Sequence, residues 1–194
     1  MSKKTTTKKS PPSLSCDSEV VECVISSPIG NIGVTMCEEG LHSVGLKGDI
    51  SDENFVPNER EVVELVGKDL GTKVLKDCLY WFQVYFKDPS LMSTVPRPNI
   101  CCLGKRGPGF RARVWQTLAD TVGPGEIITY GALSSRLGNP GAARAVGSAM
   151  RNNPIGFIVP CHRVVRSGGL GLYFGGKRQT VKKWLLRHEG VNKF

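Results

Sequence analysis

Cys161 and His162 stand side by side in the apolar run Ile158-Val159-Pro160-Cys161-His162-Arg163-Val164-Val165. A thiolate is the nucleophile of cysteine chemistry, and an ordinary thiol has a pKa of about 8.5, so at neutral pH it needs a base or a positive charge beside it. The neighbouring imidazole can act as that base, directly or through a water. A carboxylate would orient the imidazole and stabilise its charged form, and Glu189, in His188-Glu189-Gly190, is the candidate. Taken alone, the pair reads more readily as a small buried hydrophobe beside a histidine.

The elements that must position these residues follow from the surrounding pattern. The Cys-His pair falls in a strand-like run. Upstream, Phe110, Val114 and Leu118 share one helical face that ends by Gly123-Pro124-Gly125. Thr129 is placed to cap a short helix over 130–137, closed by Gly138. Asn139 is placed to cap the next, with Pro140 in its first position. Two short helices joined by a Gly-Asn turn are the helix-turn-helix pattern. The second helix is made mostly of small residues, and a face of Ala and Gly cannot reach base edges in a major groove but suits close approach to a minor groove. Tight helix-helix packing favours the same residues, and the helix alone does not decide between the two.

The first half reads differently. Val20 to Ser26, Ile32 to Met36 and Leu41 to Leu46 are short β-branched runs parted by Pro28-Ile29-Gly30-Asn31 and Glu38-Glu39-Gly40, an antiparallel meander. Val62, Leu65 and Val66 have helical spacing, as do Leu75, Leu79, Phe82 and Phe86, which end at Asp88-Pro89. Prolines and glycines over 89–109 suggest a linker. The expected organisation is a disordered basic tail (1–17), an N-terminal α/β domain with its linker (18–106), and a mainly α C-terminal domain (107–194).

The 194 residues are 40% hydrophobic, enough to bury a core. Lys and Arg number 26 against 17 Asp and Glu, a net charge of +9. Four of the lysines sit in the tail, which leaves about +5 on the body, a balance that suits a polyanionic partner. No apolar run reaches the roughly 20 residues of a membrane helix, and no signal peptide is expected. Seven cysteines without disulfide-scaffold spacing suggest a reducing, intracellular setting, and the Lys-rich tail suits the nucleus.

The ordered set of motifs resembles the O6-alkylguanine-DNA alkyltransferases, also called methylated-DNA–protein-cysteine methyltransferases. Pro160-Cys161-His162-Arg163-Val164 matches their active-site motif. Asn139-Pro140 with Ala142-Ala143-Arg144-Ala145-Val146-Gly147 matches their recognition helix, and Asn152-Asn153-Pro154 the loop before the nucleophile. Tyr173-Phe174-Gly175-Gly176 matches the substrate-pocket loop, and Lys182-Lys183-Trp184-Leu185-Leu186 with His188-Glu189-Gly190 the last helix. The match is strong over 110–190 and weaker over 20–90.

The resemblance implies a ribonuclease-H-like N-terminal domain, with a small antiparallel sheet and helices, and a winged-helix-like C-terminal one. It implies DNA repair, with Cys161 taking the alkyl group from O6-alkylguanine in double-stranded DNA once per molecule. His162 would take the thiol proton through a water, Glu189 would orient His162, and Asn153 would bond near the active loop. Tyr130 would donate a proton toward N3 of the leaving guanine. Arg144 would fill the gap left by the flipped nucleotide. Ala142, Ala143, Ala145 and Gly147 would line the minor-groove contact, and Met150 and Val164 would border the alkyl pocket with Tyr173 and Phe174. Phe174 stands where the family commonly has a small hydroxyl residue, and Gly156 where vertebrate members often have a second proline. No cofactor is implied for catalysis, and a monomer is expected. Some members hold a structural zinc. Cys37 and His42 fit two of its ligands, a third is Cys16 or Cys23, and the remaining position falls on Cys101, beside Cys102. Two other classes compete: a DNA-binding protein that only marks lesions, and a Cys-His-Glu hydrolase, which would turn over repeatedly.

Overall fold

The computed structural model describes residues 16, 18–101 and 109–194. The tail, apart from Cys16, and Cys102 in the expected linker lie outside the described residues.

The meander forms as expected. β1 (Val21–Ile25), β2 (Ile32–Cys37) and β3 (Gly40–Leu46) pair antiparallel, with Ile25 opposite Ile32 and Ile32 opposite Leu46. Alternation selects the buried face: Ile32, Val34 and Met36 point into the core with Cys23 and Ile25. The helix expected around Val62 is absent. Leu65–Val66 instead form β4, which extends the sheet in the order β3-β2-β1-β4. The Ser26 hydroxyl donates to the Val62 carbonyl at 2.7 Å and Gln83 donates to that of Val63, so the backbone is held extended. Only Val63 of that apolar group is buried, while Val62 and Val66 face solvent. A helical spacing of three valines and leucines was coincidence with an edge strand.

α1 (Lys73–Lys87) is capped by the Thr72 hydroxyl and stopped at Asp88. It buries Leu75, Phe82 and Phe86 as expected, and also Cys78, Trp81 and Tyr85, whereas Leu79 is only half-buried. A short 3-10 turn, Pro89–Ser93, occupies the start of the expected linker.

The C-terminal region is mainly helical. α2 (Phe110–Thr121), α3 (Tyr130–Arg136) and α4 (Ala143–Arg151) pack together, and the Trp115 indole donates to the Ala149 carbonyl at 2.9 Å. Thr129 caps α3 as expected. α4 starts later than expected: Asn139 does not cap it, because residues 139–142 close a turn in which Ala142 N–H donates to the Asn139 carbonyl. The buried Ser134 hydroxyl, from α3, accepts from the same Ala142 N–H at 3.0 Å and ties this turn to the preceding helix. β5 (Ile128–Thr129) and β6 (Val164–Val165) pair in parallel, and α5 (Gln179–His188) closes the chain.

One apolar core runs through both regions. The Phe82 and Phe157 rings meet edge to face at 5.7 Å. Val44 of β3 donates to the Pro154 carbonyl and accepts from Gly156 N–H, both at 2.8 Å. A Cβ on Gly156 would lie 3.0 Å from the Val44 carbonyl oxygen, so this position favours glycine.

Candidate active site around Cys161

The loop that carries the nucleophile is pinned from within. The Asn153 side chain accepts from Ile155 N–H at 3.0 Å and donates to the Val159 carbonyl at 2.9 Å. Phe157 adopts a left-handed backbone (φ 68°), an expensive conformation for a residue with a Cβ, and is held there by burial of its ring. Cys161 then opens a 3-10 turn, Cys161–Arg163, where the apolar pattern suggested a strand. The tight turn separates the three side chains. Cys161 lines a cavity, while His162 and Arg163 are buried behind it.

His162 and Arg163 converge on Glu189, the residue that caps α5. His162 Nε2 lies 2.8 Å from Glu189 Oε1. Arg163 forks onto both carboxylate oxygens, Nε to Oε2 and Nη2 to Oε1, each at 2.9 Å, and its Nη1 donates to the Val122 carbonyl. Burial alone would raise the Glu189 carboxyl, but His162 and Arg163 overcome it and hold the group well below the usual carboxylate range. The planar guanidinium of Arg163 meets the carboxylate with two parallel hydrogen bonds, while His162 approaches one of the same oxygens. Burial depresses His162 against the pull of Glu189 and keeps it neutral. Its Nε2–H then faces Glu189, and Nδ1, which has no hydrogen-bond partner among the described residues, is left as the basic atom.

Burial also raises the Cys161 thiol, although the sulfur borders the cavity. The Asn153 amide, the Lys182 ammonium and the Tyr173 hydroxyl oppose that rise by favouring the thiolate. Lys182 is wholly buried, donates to the Val164 carbonyl at 2.7 Å, and is brought down to about 8 by burial. A cation without access to water beside a thiol is an electrostatic aid to ionisation.

The cavity has a volume of about 600 Å³. Of the residues singled out in the sequence, Tyr130, Ala143, Arg144, Gly147, Met150, Asn153, Cys161, Tyr173 and Phe174 line it. Arg144 is exposed near the start of α4. Burial raises the Tyr130 hydroxyl, so it remains a proton donor. One expectation needs correction: Val164 is fully buried and pairs with Ile128, and so belongs to the core. Ala142 and Ala145, expected at a DNA contact, stand outside the cavity, and Ala145 lies on the exposed face of α4. Sequence reasoning missed Val44 and Gly45, which bring the N-terminal sheet into the cavity wall, and Arg166 and Leu172. It also gave no role to Arg163 and Lys182, although both stand inside quoted motifs.

A second cluster lies beyond the far end of the sheet. The ligand atoms of Cys16, Cys37, His42 and Cys101 lie within 4.8 Å of one another. Gly40 makes this possible: any Cβ there would lie 2.7 Å from the Asn99 carbonyl oxygen, and its absence lets residues 99–101 run beside β3, with Cys101 N–H donating to the Leu41 carbonyl at 2.9 Å. Cys16 fills the third place; Cys23 is in the main core instead. The sulfurs of Cys37 and Cys101 are each 3.6 Å from that of Cys16. Tetrahedral zinc with bonds of about 2.3 Å requires sulfurs about 3.8 Å apart, so the donor set fits zinc in both chemistry and spacing.

The C-terminal region, residues 109–191, matches the family model described as "6-O-methylguanine DNA methyltransferase, DNA binding domain". The methylated-DNA–protein-cysteine methyltransferase of Mus musculus is 39% identical over 171 residues, covering 87% of this chain and 80% of the relative. The crystal structure of the Mycobacterium tuberculosis O6-methylguanine methyltransferase superposes with a TM-score of 0.64 at 29% identity, covering 88% and 93% of the two chains. A structure of the Mycobacterium tuberculosis protein in complex with DNA gives 0.61 at 31% identity, covering 86% and 90%. With Cys161 lining the cavity and His162 and Glu189 paired behind it, the chain belongs to the methylated-DNA–protein-cysteine methyltransferase family.

Proposed function

We propose that this methyltransferase repairs DNA by moving the methyl group of O6-methylguanine onto Cys161, once per molecule. The observation that carries the reading is the chain Cys161, His162, Glu189 and Arg163 set behind a cavity large enough for a nucleobase. His162 Nδ1 takes the thiol proton through a water. The Cys161 sulfur attacks the methyl carbon, the C–O6 bond breaks, and a thioether forms. The electron pair leaves with guanine, and the Tyr130 hydroxyl delivers a proton toward N3 of the base. Asn153 holds the nucleophile's loop and favours the thiolate. A thioether is not hydrolysed by any group in the site, so the protein is spent.

A base within a duplex cannot present O6 to a thiol at the bottom of a cavity, so the nucleotide must flip out. Arg144, exposed at the cavity's edge, is suited to fill the gap it leaves. The small residues Ala142, Ala143, Ala145 and Gly147 suit close approach to a minor groove, with α3 and α4 acting as a helix-turn-helix. In domain terms, 18–106 is a ribonuclease-H-like α/β unit and 107–194 a winged-helix-like unit. The protein acts as a monomer in the nucleus. Cys16, Cys37, His42 and Cys101 hold a structural zinc, which supplies cross-linking and no step of the reaction.

The test is the intact mass of the protein after incubation with a duplex containing O6-methylguanine, for wild type and Cys161→Ala. One methyl gained by wild type alone, mapped to Cys161 and saturating at one per molecule, is expected. Binding of the duplex without any mass change would overturn the transfer reading in favour of lesion marking, and release of product beyond one per molecule would favour a hydrolase.

A further inference from the structure

Glu189 receives one more donor, and it comes from the other region of the molecule. Tyr85, in the last turn of α1, is fully buried, and its hydroxyl donates to Glu189 Oε1 at 2.7 Å. The same oxygen faces His162 Nε2 at 2.8 Å and accepts from Arg163 Nη2 at 2.9 Å, whereas Oε2 accepts from Arg163 Nε. Three donors on one carboxylate oxygen must share its charge. The tyrosine is itself well fixed. Its ring stacks on Trp81 (5.2 Å, 10° between planes) and meets His188 edge to face, and its backbone carbonyl lies 2.8 Å from His188 Nε2. The residues on either side of the α5 terminus are thus both tied to one residue of α1.

We infer that Tyr85 is a positioning residue for the transfer reaction: its hydroxyl locks the Glu189 carboxylate and takes a share of the charge that would otherwise support a proton on His162. The inference rests on the proposed function for its consequence, though not for its geometry. The groups that face this pair are known from each packed element. The 3-10 turn contributes Cys161 and Arg163, and α5 contributes Lys182 and, at its end, His188. The loop before α5 contributes Tyr173, and α1 contributes Tyr85. Arg163 and Lys182 disfavour a proton on His162, and Glu189 favours it. Tyr85 is the one neutral donor that competes with His162 for Oε1. Loss of its hydroxyl therefore concentrates charge toward His162, makes the imidazole hold its proton to higher pH, and moves the onset of Cys161 reactivity, which needs the neutral imidazole, to higher pH.

The experiment is the pH dependence of Cys161 alkylation, mapped by peptide mass, with two reagents: iodoacetamide and an O6-methylguanine duplex. Tyr85→Phe is expected to move the midpoint toward alkali by roughly half a unit to one unit. It should lower the plateau rate severalfold as the carboxylate loses its lock, and change duplex affinity less than twofold. Should Tyr85→Phe fail to fold, 3-fluorotyrosine at position 85 keeps the packing and strengthens the donor; it is expected to move the midpoint the other way. Trp81→Phe, which disturbs the same ring without touching the hydrogen bond, should leave the midpoint in place. A profile that superimposes on wild type for the position 85 variants, even with a slower rate, would reduce Tyr85 to packing and overturn the inference. A shift seen with iodoacetamide in a protein that takes no methyl from DNA would uphold Tyr85 and overturn the proposed function.

Discussion

The two regions of the molecule serve one cavity in unlike ways. In the C-terminal region, the residues that touch the nucleophile or its supporting network follow one another closely: Asn153, Cys161, His162 and Arg163 in one loop and turn, then Tyr173, Lys182 and Glu189. In the N-terminal region the contributions are scattered single points. Val44 lends a carbonyl and an N–H, Phe82 a ring, and Tyr85 a hydroxyl. The difference teaches how a site can be concentrated for recognition yet supported from a distance. A loop that must place several groups relative to one another constrains consecutive residues. A sheet or helix that buttresses the loop needs only one correct atom per contact.

The contrast can be broken by substitution, and the largest effect should be in the C-terminal network. Arg163→Met leaves Glu189 as a buried carboxylate without its fixed cation, which should cost about 3–5 kcal/mol. The pH dependence sharpens this. The folded carboxyl lies below its unfolded value, so its contribution is fully present above pH ~4.5 and is lost as pH falls below that. Wild type should therefore lose stability steeply in denaturant titrations below pH ~4.5. The variant, whose folded-state carboxyl keeps His162 and Tyr85 but loses Arg163, is held down less and should lose less there. Equal acid sensitivity in the two proteins would show that Arg163 is not what holds Glu189 ionised.

A middling effect belongs to the N-terminal region and should spare the chemistry. Cys37→Ser removes a ligand from the cluster. If zinc is bound at a hundredfold excess over its Kd, its loss costs about 2.7 kcal/mol. Metal content should fall from one per chain in wild type and Tm should drop, while the amount of methyl taken by Cys161 at a permissive temperature stays unchanged. A loss of methyl transfer from the still-folded variant would erase the distinction between the regions. The smallest effect lies on the surface of α1. Lys73 and Asp77 form an exposed ion pair one turn apart, and Lys73→Ala should change stability by no more than about 0.5 kcal/mol. A larger change would mean that the pair does more than a solvated i,i+4 contact can.

The same contrast decided what could be read from the chain alone. The meander was legible because β-branched runs were parted by turn residues, and the end of α1 by Asp88-Pro89, whereas its cap at Thr72 went unread. Cys161, His162 and Glu189 were found through the order of the motifs, and Arg163 stood among them unassigned. The cap of α4 was misread because Asn139-Pro140 has the local form of a helix start, while residues 139–142 close a turn tied to Ser134 on the preceding helix. Val164 was misplaced since a valine beside a nucleophile looks like a pocket wall until its strand pairing is known. Tyr85 carried no signal, because nothing near it in sequence indicates a partner 104 residues away. Cys101 was reachable only through the family resemblance, since the close approach that brings it to Cys37 depends on the missing side chain of Gly40.

The left-handed backbone at Phe157 has a consequence in time. That conformation is tenable only while its ring is buried against Phe82. Phe82 leaves the ribosome about 75 residues ahead of Phe157, a lead of about 4 to 15 s at ~5–20 residues per second. The seat for the ring is therefore synthesised well before the loop that needs it, so the nucleophile's loop emerges toward a support that has had time to form.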